Sequence, residues 1–521
     1  MRIRDFLARR GWLLAIAFAY LYVFPYFPKI RSANELPRVY LVKAIAEEHA
    51  FTIDRGVARW GTTADVSPAN GHHYSNKAPG SSMLAAPAYL GVRAVVGEPS
   101  LGTSVWLARV VAGIVPMLLF LGLLWGFLAR FAPNPAVRQL VLVAYGLGSL
   151  AMTYSILFYS HQLGAICVGS AWILGIEVAE RRRGLLAMTA AGGLAGAAAL
   201  VDYQAVFAAV PVAVHVLVKL RAWPRRELVR VIAIAIAGAG VPIAILLAYH
   251  AACFGSPWRT GYDASETFAV YHQQGFLGIT ELRWEAFTGS LVRPDNGLVV
   301  LAPWLLLAIP GGVVLARGAR MPTGDAVVPG DRGALAVGVA VTAIYLLFIS
   351  SINFWRGGWQ IGPRYITAML PFLLPAVAAL FQELATRRSA EWVARELLGI
   401  ATGLVVVGVA IYALSSATFP YWPDSLKHPL YDVTFRMLGD DLVAPNLGSA
   451  IGISGIAGLV PYLVVVAGLL GASIYRLAGL RGTIAAVAVG LAVLVAYGRF
   501  ERGGAEADRV YGFVRGAVIE R

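Results

Sequence analysis

Long apolar runs recur through most of this sequence, and they constrain its fold more than any other feature. Many of them extend over about 20 residues, the length at which an α-helix crosses the hydrocarbon core of a bilayer. Of the 521 residues, 58% are hydrophobic and 14% are charged, against roughly half and a quarter in soluble domains. The sequence therefore predicts an all-α polytopic membrane protein.

About 13 runs are long and apolar enough to be predicted as membrane spans. They lie near residues 11–27, 104–129, 138–157, 162–179, 185–201, 204–220, 230–253, 297–316, 334–352, 365–384, 398–416, 451–475 and 482–498. This pattern predicts one transmembrane domain over residues 1–500, with a first outer loop over 30–103, and a short outward C-terminal tail over 501–521.

The net charge of +14 indicates membrane topology rather than nucleic-acid binding. Lys and Arg collect in short loops between apolar runs, such as 181–183, 221–230 and 317–320, as the positive-inside rule expects. These loops and the N-terminus can all lie in the cytoplasm only if residues 81–97 do not span. We therefore expect 81–97 to lie in the membrane interface.

The polar segment 34–80 is the longest near the front of the chain. Within it, Asn34 is a plausible N-cap and Glu35 suits the positive end of a helix dipole, which predicts a short helix over 35–48. We expect this helix to lie in the interface with Arg38 and Lys43 facing water.

Charged and aromatic residues also collect in the outer loops. Arginine is disfavoured on this membrane face, and its guanidinium group is well suited to phosphate oxygens, so outer-loop arginines are candidates for a phosphate site. The candidate site residues are Glu35, Arg38, Asp65, Tyr74 and Lys77 in the first loop, Asp202 between two spans, and Arg259, Tyr262, His272, Arg356, Arg364 and Tyr365 in later loops.

The order of several motifs resembles one membrane enzyme family. Glu35 precedes Arg38 by three residues, Asn70-Gly71, Tyr74 and Lys77-Ala78-Pro79 follow, and Gly362-Pro363-Arg364-Tyr365 comes late in the chain. This combination resembles the first outer loop and a later loop of the GT-C glycosyltransferases. The most similar members are the lipid-A aminoarabinose transferases and the protein O-mannosyltransferases of glycosyltransferase family 39. The chain departs from the family pattern at Asn76, where an acidic residue is common, and at Ala78, where a proline is common.

The resemblance implies an enzyme of the bacterial inner membrane, with its N-terminus in the cytoplasm and its active site facing the periplasm or outside. Such enzymes transfer a hexose or pentose from a polyprenyl-phosphate donor to a lipid, glycan or protein acceptor. In this reading Glu35 is the general base, and Asp65 or Asp202 supplies a second carboxylate. Lys77 and Arg364 hold the donor phosphate, while Arg38 shares that role or orients Glu35.

The remaining candidates are expected to bind substrate, and membrane lipids are the other expected partners. No cofactor and no metal site is predicted, since His72-His73 has no third ligand at a recognisable spacing. A divalent cation at Glu35 or Asp65 stays open without being indicated.

Two other classes compete with the transferase. A transporter or flippase for a lipid or small solute would show inverted repeats and charges near mid-membrane; here no repeat is evident and the candidate charges lie in outer loops. An O-antigen ligase or polymerase would use lipid-linked sugars as well, but should concentrate its arginines in one late outer loop. In this sequence they are spread over the first loop, 254–296 and 353–364.

Overall fold

Helices form nearly all of the regular structure, as the apolar runs predict. The computed structural model describes residues 3–276, 278–320, 327–388 and 391–519. The helices are Ile3–Tyr22, Glu35–Lys43 with a wider turn over Ala44–Glu48, Asp54–Trp60, Gly80–Val96, Leu101–Arg130, Pro135–Leu147, Leu150–Ile156, Ser160–Ala179, Leu185–Val201, Tyr203–Leu220, Arg225–Phe254, Ala269–His272, Trp284–Val292, Leu298–Leu301, Pro303–Arg317, Arg332–Ser351, Arg364–Arg387, Trp392–Thr418, Leu430–Phe435, Arg436–Gly439, Leu447–Ala450, Gly455–Tyr497 and Gly504–Ile519. The strands are Val66–Ala69, His72–Ser75, Ala319–Arg320 and Val327–Val328.

In the described part of the chain, eight helices are long and apolar enough to cross a membrane, or nine if Pro135–Leu147 and Leu150–Ile156, bent by 57°, form one span. Three shorter apolar helices, Arg10–Tyr22, Leu185–Val201 and Pro303–Arg317, coincide with further predicted spans. The prediction of an all-α polytopic membrane protein is confirmed.

The last long helix, Gly455–Tyr497, corresponds to two predicted spans. It is interrupted at Gly479, whose φ of 68° and ψ of −174° are not helical. A positive φ of this kind is accessible to glycine at little cost. The chain therefore turns at Gly479, within the gap that the sequence predicts between 475 and 482.

The helix Gly80–Val96 does not meet the length and hydropathy of a span, and its place in the interface stays a prediction. The preceding helix, Glu35–Lys43, forms as expected, but all nine of its residues are buried, including Arg38 and Lys43. The expectation that these two cations face water is wrong, because the helix packs beneath the rest of the first outer loop, against Gly80–Val96.

A β-hairpin in the first outer loop is a feature that the helical prediction does not contain. Val66–Ala69 pairs antiparallel with His72–Ser75, with Val66 opposite Ser75. The connecting residues Asn70 and Gly71 both have positive φ, 51° and 79°, as two-residue hairpin turns require. The hairpin brings residue 65 next to residues 76 and 77 at its open end.

The topology generates a direct test. Seven of the predicted spans separate Arg182 from Lys427. Because this number is odd, the two residues should lie on opposite sides of the membrane. A membrane-impermeant maleimide should label Lys427→Cys in intact cells, and Arg182→Cys only after the membrane is opened. The native Cys167 and Cys253 are buried and provide the unlabelled background. Labelling of both variants in intact cells would contradict this arrangement.

Candidate functional site

A cavity of about 420 Å³ opens among the polar loops and the helix ends next to them. It is lined by segments from distant parts of the sequence, and its charged and ring-bearing walls include Arg31, Arg38, Asp65, Lys77, Tyr159, His161, Asp202, Tyr203, Tyr262, Phe268, Tyr271, His272, Phe354, Trp359, Arg364, Tyr365, Tyr421 and Asp424. Eight of the twelve site residues predicted from the sequence line this cavity: Arg38, Asp65, Lys77, Asp202, Tyr262, His272, Arg364 and Tyr365.

Lys77 and Asp65 form a buried ion pair at the open end of the hairpin. The Lys77 Nζ lies 2.9 Å from Asp65 Oδ1, and the same oxygen accepts a hydrogen bond of 3.3 Å from Asn76 Nδ2. Asp65 Oδ2 makes no hydrogen bond to any residue that the structure describes. Burial lowers the pKa of Lys77 to about 8, although Asp65 opposes this shift. The pair thus places one cation and one free carboxylate oxygen in the cavity wall.

Aromatic rings hold Lys77 in position from the side of the long outer loop. The Nζ atom lies 5.3 Å from the centre of the Tyr262 ring, and Tyr262 packs against His272 with ring centres 4.5 Å apart. Burial, followed by the charge of Lys77, lowers the pKa of His272 to about 4. Gly261 permits this approach, because a Cβ there would lie 2.4 Å from the Asn76 Cα.

Arg364 contributes a second cation without a carboxylate partner among the described residues. Its side chain is buried, its Nη2 donates to the Tyr365 hydroxyl at 3.3 Å, and its buried Nε has no hydrogen-bond partner. The guanidinium carbon lies 5.4 Å and 5.1 Å from the ring centres of Tyr159 and Tyr365. A buried guanidinium group in this state is suited to an anionic ligand.

Arg38 completes the cationic part of the wall through neutral partners. It donates to Asn34 Oδ1, the Ala78 carbonyl, Ser81 Oγ and Ser160 Oγ, at 3.2, 3.3, 3.0 and 2.6 Å. It therefore joins the turn after Lys77 to the start of the helix Ser160–Ala179. Arg38 makes no hydrogen bond to Glu35, so the expectation that it orients Glu35 is wrong.

Asp202 belongs to a second polar group on the same cavity wall. Its Oδ2 lies 2.8 Å from His161 Nδ1, and Gln204 Nε2 lies 2.9 Å from the same nitrogen. The His161 Nε2 is buried without a partner. The sequence indicates Asp202 without its partner His161, because the ends of two different spans must pack together before these residues meet.

Glu35 is not on the cavity wall. Its two oxygens accept hydrogen bonds from Arg109 Nε and Nη2, at 2.9 and 2.8 Å, from the Phe158 backbone at 2.6 Å and from the Tyr421 hydroxyl at 2.7 Å. Burial alone would raise the pKa of Glu35, but Arg109 and the other donors lower it. The geometry does not fit the expected role of Glu35 as a general base, since every strong acceptor direction is already used.

Three other predicted residues also lie away from the cavity. Tyr74 is buried in a small apolar cluster, where its ring lies 5.6 Å from that of Phe254. Arg356 pairs with Asp295 at 2.6 Å, and Arg259 is exposed to solvent. None of the three lines the cavity, so their expected contact with substrate has no support in this geometry.

Sequence reasoning missed Arg109, Tyr421 and His161 as parts of the site or its support. Arg109 could have been noticed, because an ionisable residue inside an apolar run usually has a partner. The Asn70-Gly71 pair could likewise have predicted the hairpin that joins Asp65 to Lys77. Within the described ranges, no group of three or more His, Cys, Asp or Glu side chains is arranged to hold a metal ion.

The Glu35–Arg109 pair should be a determinant of stability. Glu35→Gln leaves the buried Arg109 uncompensated, which costs roughly 3–5 kcal/mol in comparable pairs, so the temperature of unfolding in lipid nanodiscs should fall. The double variant Glu35→Gln/Arg109→Gln removes the unpaired charge as well and should recover part of this loss. A single variant as stable as the wild type would contradict the assignment.

Comparisons with known proteins find a similarity of overall structure. No protein-family model matches the sequence, and a search of curated proteins found no match. Among solved structures, the chain is similar to the crystal structure of ArnT from Cupriavidus metallidurans bound to undecaprenyl phosphate. The identity is 14%, the TM-score is 0.48, and the match covers 95% of this chain and 78% of that one.

Proposed function

We propose that this protein is a glycosyltransferase that moves a sugar from a polyprenyl-phosphate donor to a lipid, glycan or protein acceptor at the outer face of the membrane. The main support for this proposal is that Lys77 and Arg364 line the same cavity, together with the Asp65 carboxylate, which has one oxygen without a hydrogen bond. The family resemblance of the first outer loop supports the same assignment.

The cations account for binding of the donor phosphate. Lys77 comes from the first outer loop, and Arg364 starts a helix almost three hundred positions later, so their convergence is a property of the fold. Arg364 has no carboxylate partner in the described part of the chain, and its Nε lacks any partner. A phosphate group would satisfy this guanidinium and share Lys77 with Asp65. The negative charge that grows on the leaving phosphate would then meet cations already in place.

Asp65 is the proposed general base in place of Glu35. Its Oδ1 is held by Lys77 and Asn76, which leaves Oδ2 free to accept a proton from the attacking group of the acceptor. A base must lie within hydrogen-bond distance of the proton that it removes, and Asp65, unlike Glu35, lines the cavity. In this step the acceptor forms a bond to the anomeric carbon, the bond to the phosphate oxygen breaks, and the proton passes to Asp65.

The rest of the wall suits a ligand that carries carbon surface next to its charge. Tyr262, His272, Phe268, Tyr271 and Phe354 form a continuous aromatic group, with the Phe268 and Tyr271 rings 4.9 Å and 4.8 Å from that of Phe354. Pockets for small ligands commonly combine aromatic walls with a few placed polar groups. A sugar or the first units of a prenyl chain would fit this description.

Two variants separate the proposed roles. Asp65→Asn should reduce sugar transfer by about 10²–10⁴-fold, the range for loss of a general base, while binding of polyprenyl phosphate persists. Lys77→Ala/Arg364→Ala should abolish that binding, because both cations of the phosphate site are removed. The measurements are product formation from defined polyprenyl-phosphate sugars and binding of polyprenyl phosphate, both with purified protein in lipid.

A matched control removes two exposed cations from the outer loops and the C-terminal helix. Lys427 and Arg509 lie in solvent-exposed ion pairs with Glu501 and Glu506, and Lys427→Ala/Arg509→Ala should leave transfer and binding unchanged. Full activity of Asp65→Asn would remove the base assignment. Undiminished binding in Lys77→Ala/Arg364→Ala would remove the phosphate site, and movement of lipid-linked sugar across vesicles without any product would favour a flippase.

Binding of the phosphate should depend on pH through Lys77. Only the protonated amine attracts an anion, and the pKa of Lys77 in the unliganded protein is about 8. Above the second pKa of a phosphate monoester, about 6, affinity should change little up to about pH 8 and then fall by up to about tenfold per pH unit. Lys77→Arg should remove this dependence, because a guanidinium group stays charged throughout that range. Equal slopes for wild type and Lys77→Arg would contradict the prediction.

A further inference from the structure

A second cavity, of about 480 Å³, lies at the other end of the helix bundle. Its wall includes Arg10, Trp12, Trp125, Ala136, Gln139 and Arg476. These residues come from four helices that are far apart in sequence, and none of the described residues that line the cavity carries a carboxylate. The transferase mechanism proposed above uses none of them.

Helix geometry places this cavity near the opposite membrane surface. The Tyr22 hydroxyl donates to the Gly458 carbonyl at 2.6 Å, so these two residues lie at the same level of the bundle. Arg476 follows Gly458 by eighteen positions in one helix, or about 27 Å of rise. This distance is close to the thickness of the hydrocarbon core.

The electrostatics of the second cavity favour an anion. Arg10 and Arg476 supply two positive charges, and the first turn of the helix Pro135–Leu147, with Ala136 on the cavity wall, supplies the positive end of a helix dipole. The guanidinium carbon of Arg138 lies 4.5 Å from the centre of the Trp125 ring, so Arg138 adds to the positive potential of this cavity.

The side chains of Arg476 and Trp12 hold hydrogen-bond donors in this cavity wall. Arg476 Nη1 donates to Gln139 Oε1 at 3.0 Å, and Gln139 Nε2 donates to Ser473 Oγ at 2.8 Å, which orients the guanidinium group while leaving its other donors for a ligand. Trp12 is only 5% exposed, and its indole N–H has no hydrogen-bond partner. An unsatisfied buried donor is costly unless a ligand or water accepts from it.

We infer that this second cavity binds the phosphate group of an anionic membrane lipid. Phosphate oxygens would accept from Arg10 and Arg476 and from the indole N–H of Trp12. The stacked rings of Trp12 and Trp125, whose centres lie 5.3 Å apart, provide an apolar surface for the glycerol and upper acyl carbons. Basic pockets between transmembrane helices bind lipid headgroups in this way, and a free phosphate ion would use only the charged half of the site.

Native mass spectrometry of the purified protein tests the inference with phosphatidylglycerol, cardiolipin, phosphatidylcholine and inorganic phosphate as probes. The anionic lipids should bind the wild type more tightly than phosphatidylcholine. In Arg10→Gln/Arg476→Gln their affinity should fall by about thirtyfold, since each basic residue contributes about fivefold near a membrane surface. Trp12→Phe keeps the ring, removes the N–H group, and should weaken binding of the same lipids.

The control is Arg225→Gln/Arg226→Gln, which removes two exposed arginines from the same end of the bundle and should leave lipid binding unchanged. Equal lipid affinity in the wild type and in Arg10→Gln/Arg476→Gln would overturn the inference, as would equal losses in both double variants. Binding of inorganic phosphate as tightly as lipid would also overturn it, by showing a free-anion site. Because lipid binding is read without sugar transfer, failure of the proposed enzyme activity would leave this result interpretable.

Discussion

The ion pair between Glu35 and Arg109 is the interaction on which the outer part of the structure depends. Both side chains are buried, and a carboxylate removed from water is stable only when its charge and lone pairs are matched. Arg109 supplies two donors from inside a membrane span, and Phe158 and Tyr421 supply two more from distant segments. One carboxylate therefore ties the first outer loop to three other parts of the chain.

The position of the cavity cations follows from this anchor. Glu35 fixes the start of the helix Glu35–Lys43, and Arg38 lies one turn further along it. From there Arg38 reaches the Ala78 carbonyl and Ser160 Oγ, which holds the turn after Lys77 against the helix Ser160–Ala179. The hairpin then sets Asp65 beside Lys77. Glu35 thus supports the site without lining the cavity, whereas Asp65 lies in the cavity wall.

The sequence predicts those properties that depend on local pattern, and misses those that depend on distant pairing. Apolar runs locate the spans because each run is itself long enough to require a membrane. Arg364 is found because arginine on the outer face is unusual, and Lys77 is found because the first outer loop resembles that of a known family. The acceptor of Arg109 is not found in this way, since seventy-four positions separate Arg109 from Glu35. Tyr74, Arg259 and Arg356 resemble ligand contacts in a linear sequence, and only packing shows that they lie elsewhere.

The contrast between the two buried acids explains why the proposed chemistry belongs to Asp65. Four hydrogen bonds to Glu35 make its protonation unfavourable, and a group that resists protonation is a poor base. Among the described residues, Asp65 accepts side-chain hydrogen bonds only at Oδ1, from Lys77 and Asn76, so its second oxygen can accept a further hydrogen bond. A donor phosphate would share Lys77 with Asp65, and Asp65 Oδ2 would stay free to accept the proton of the attacking group.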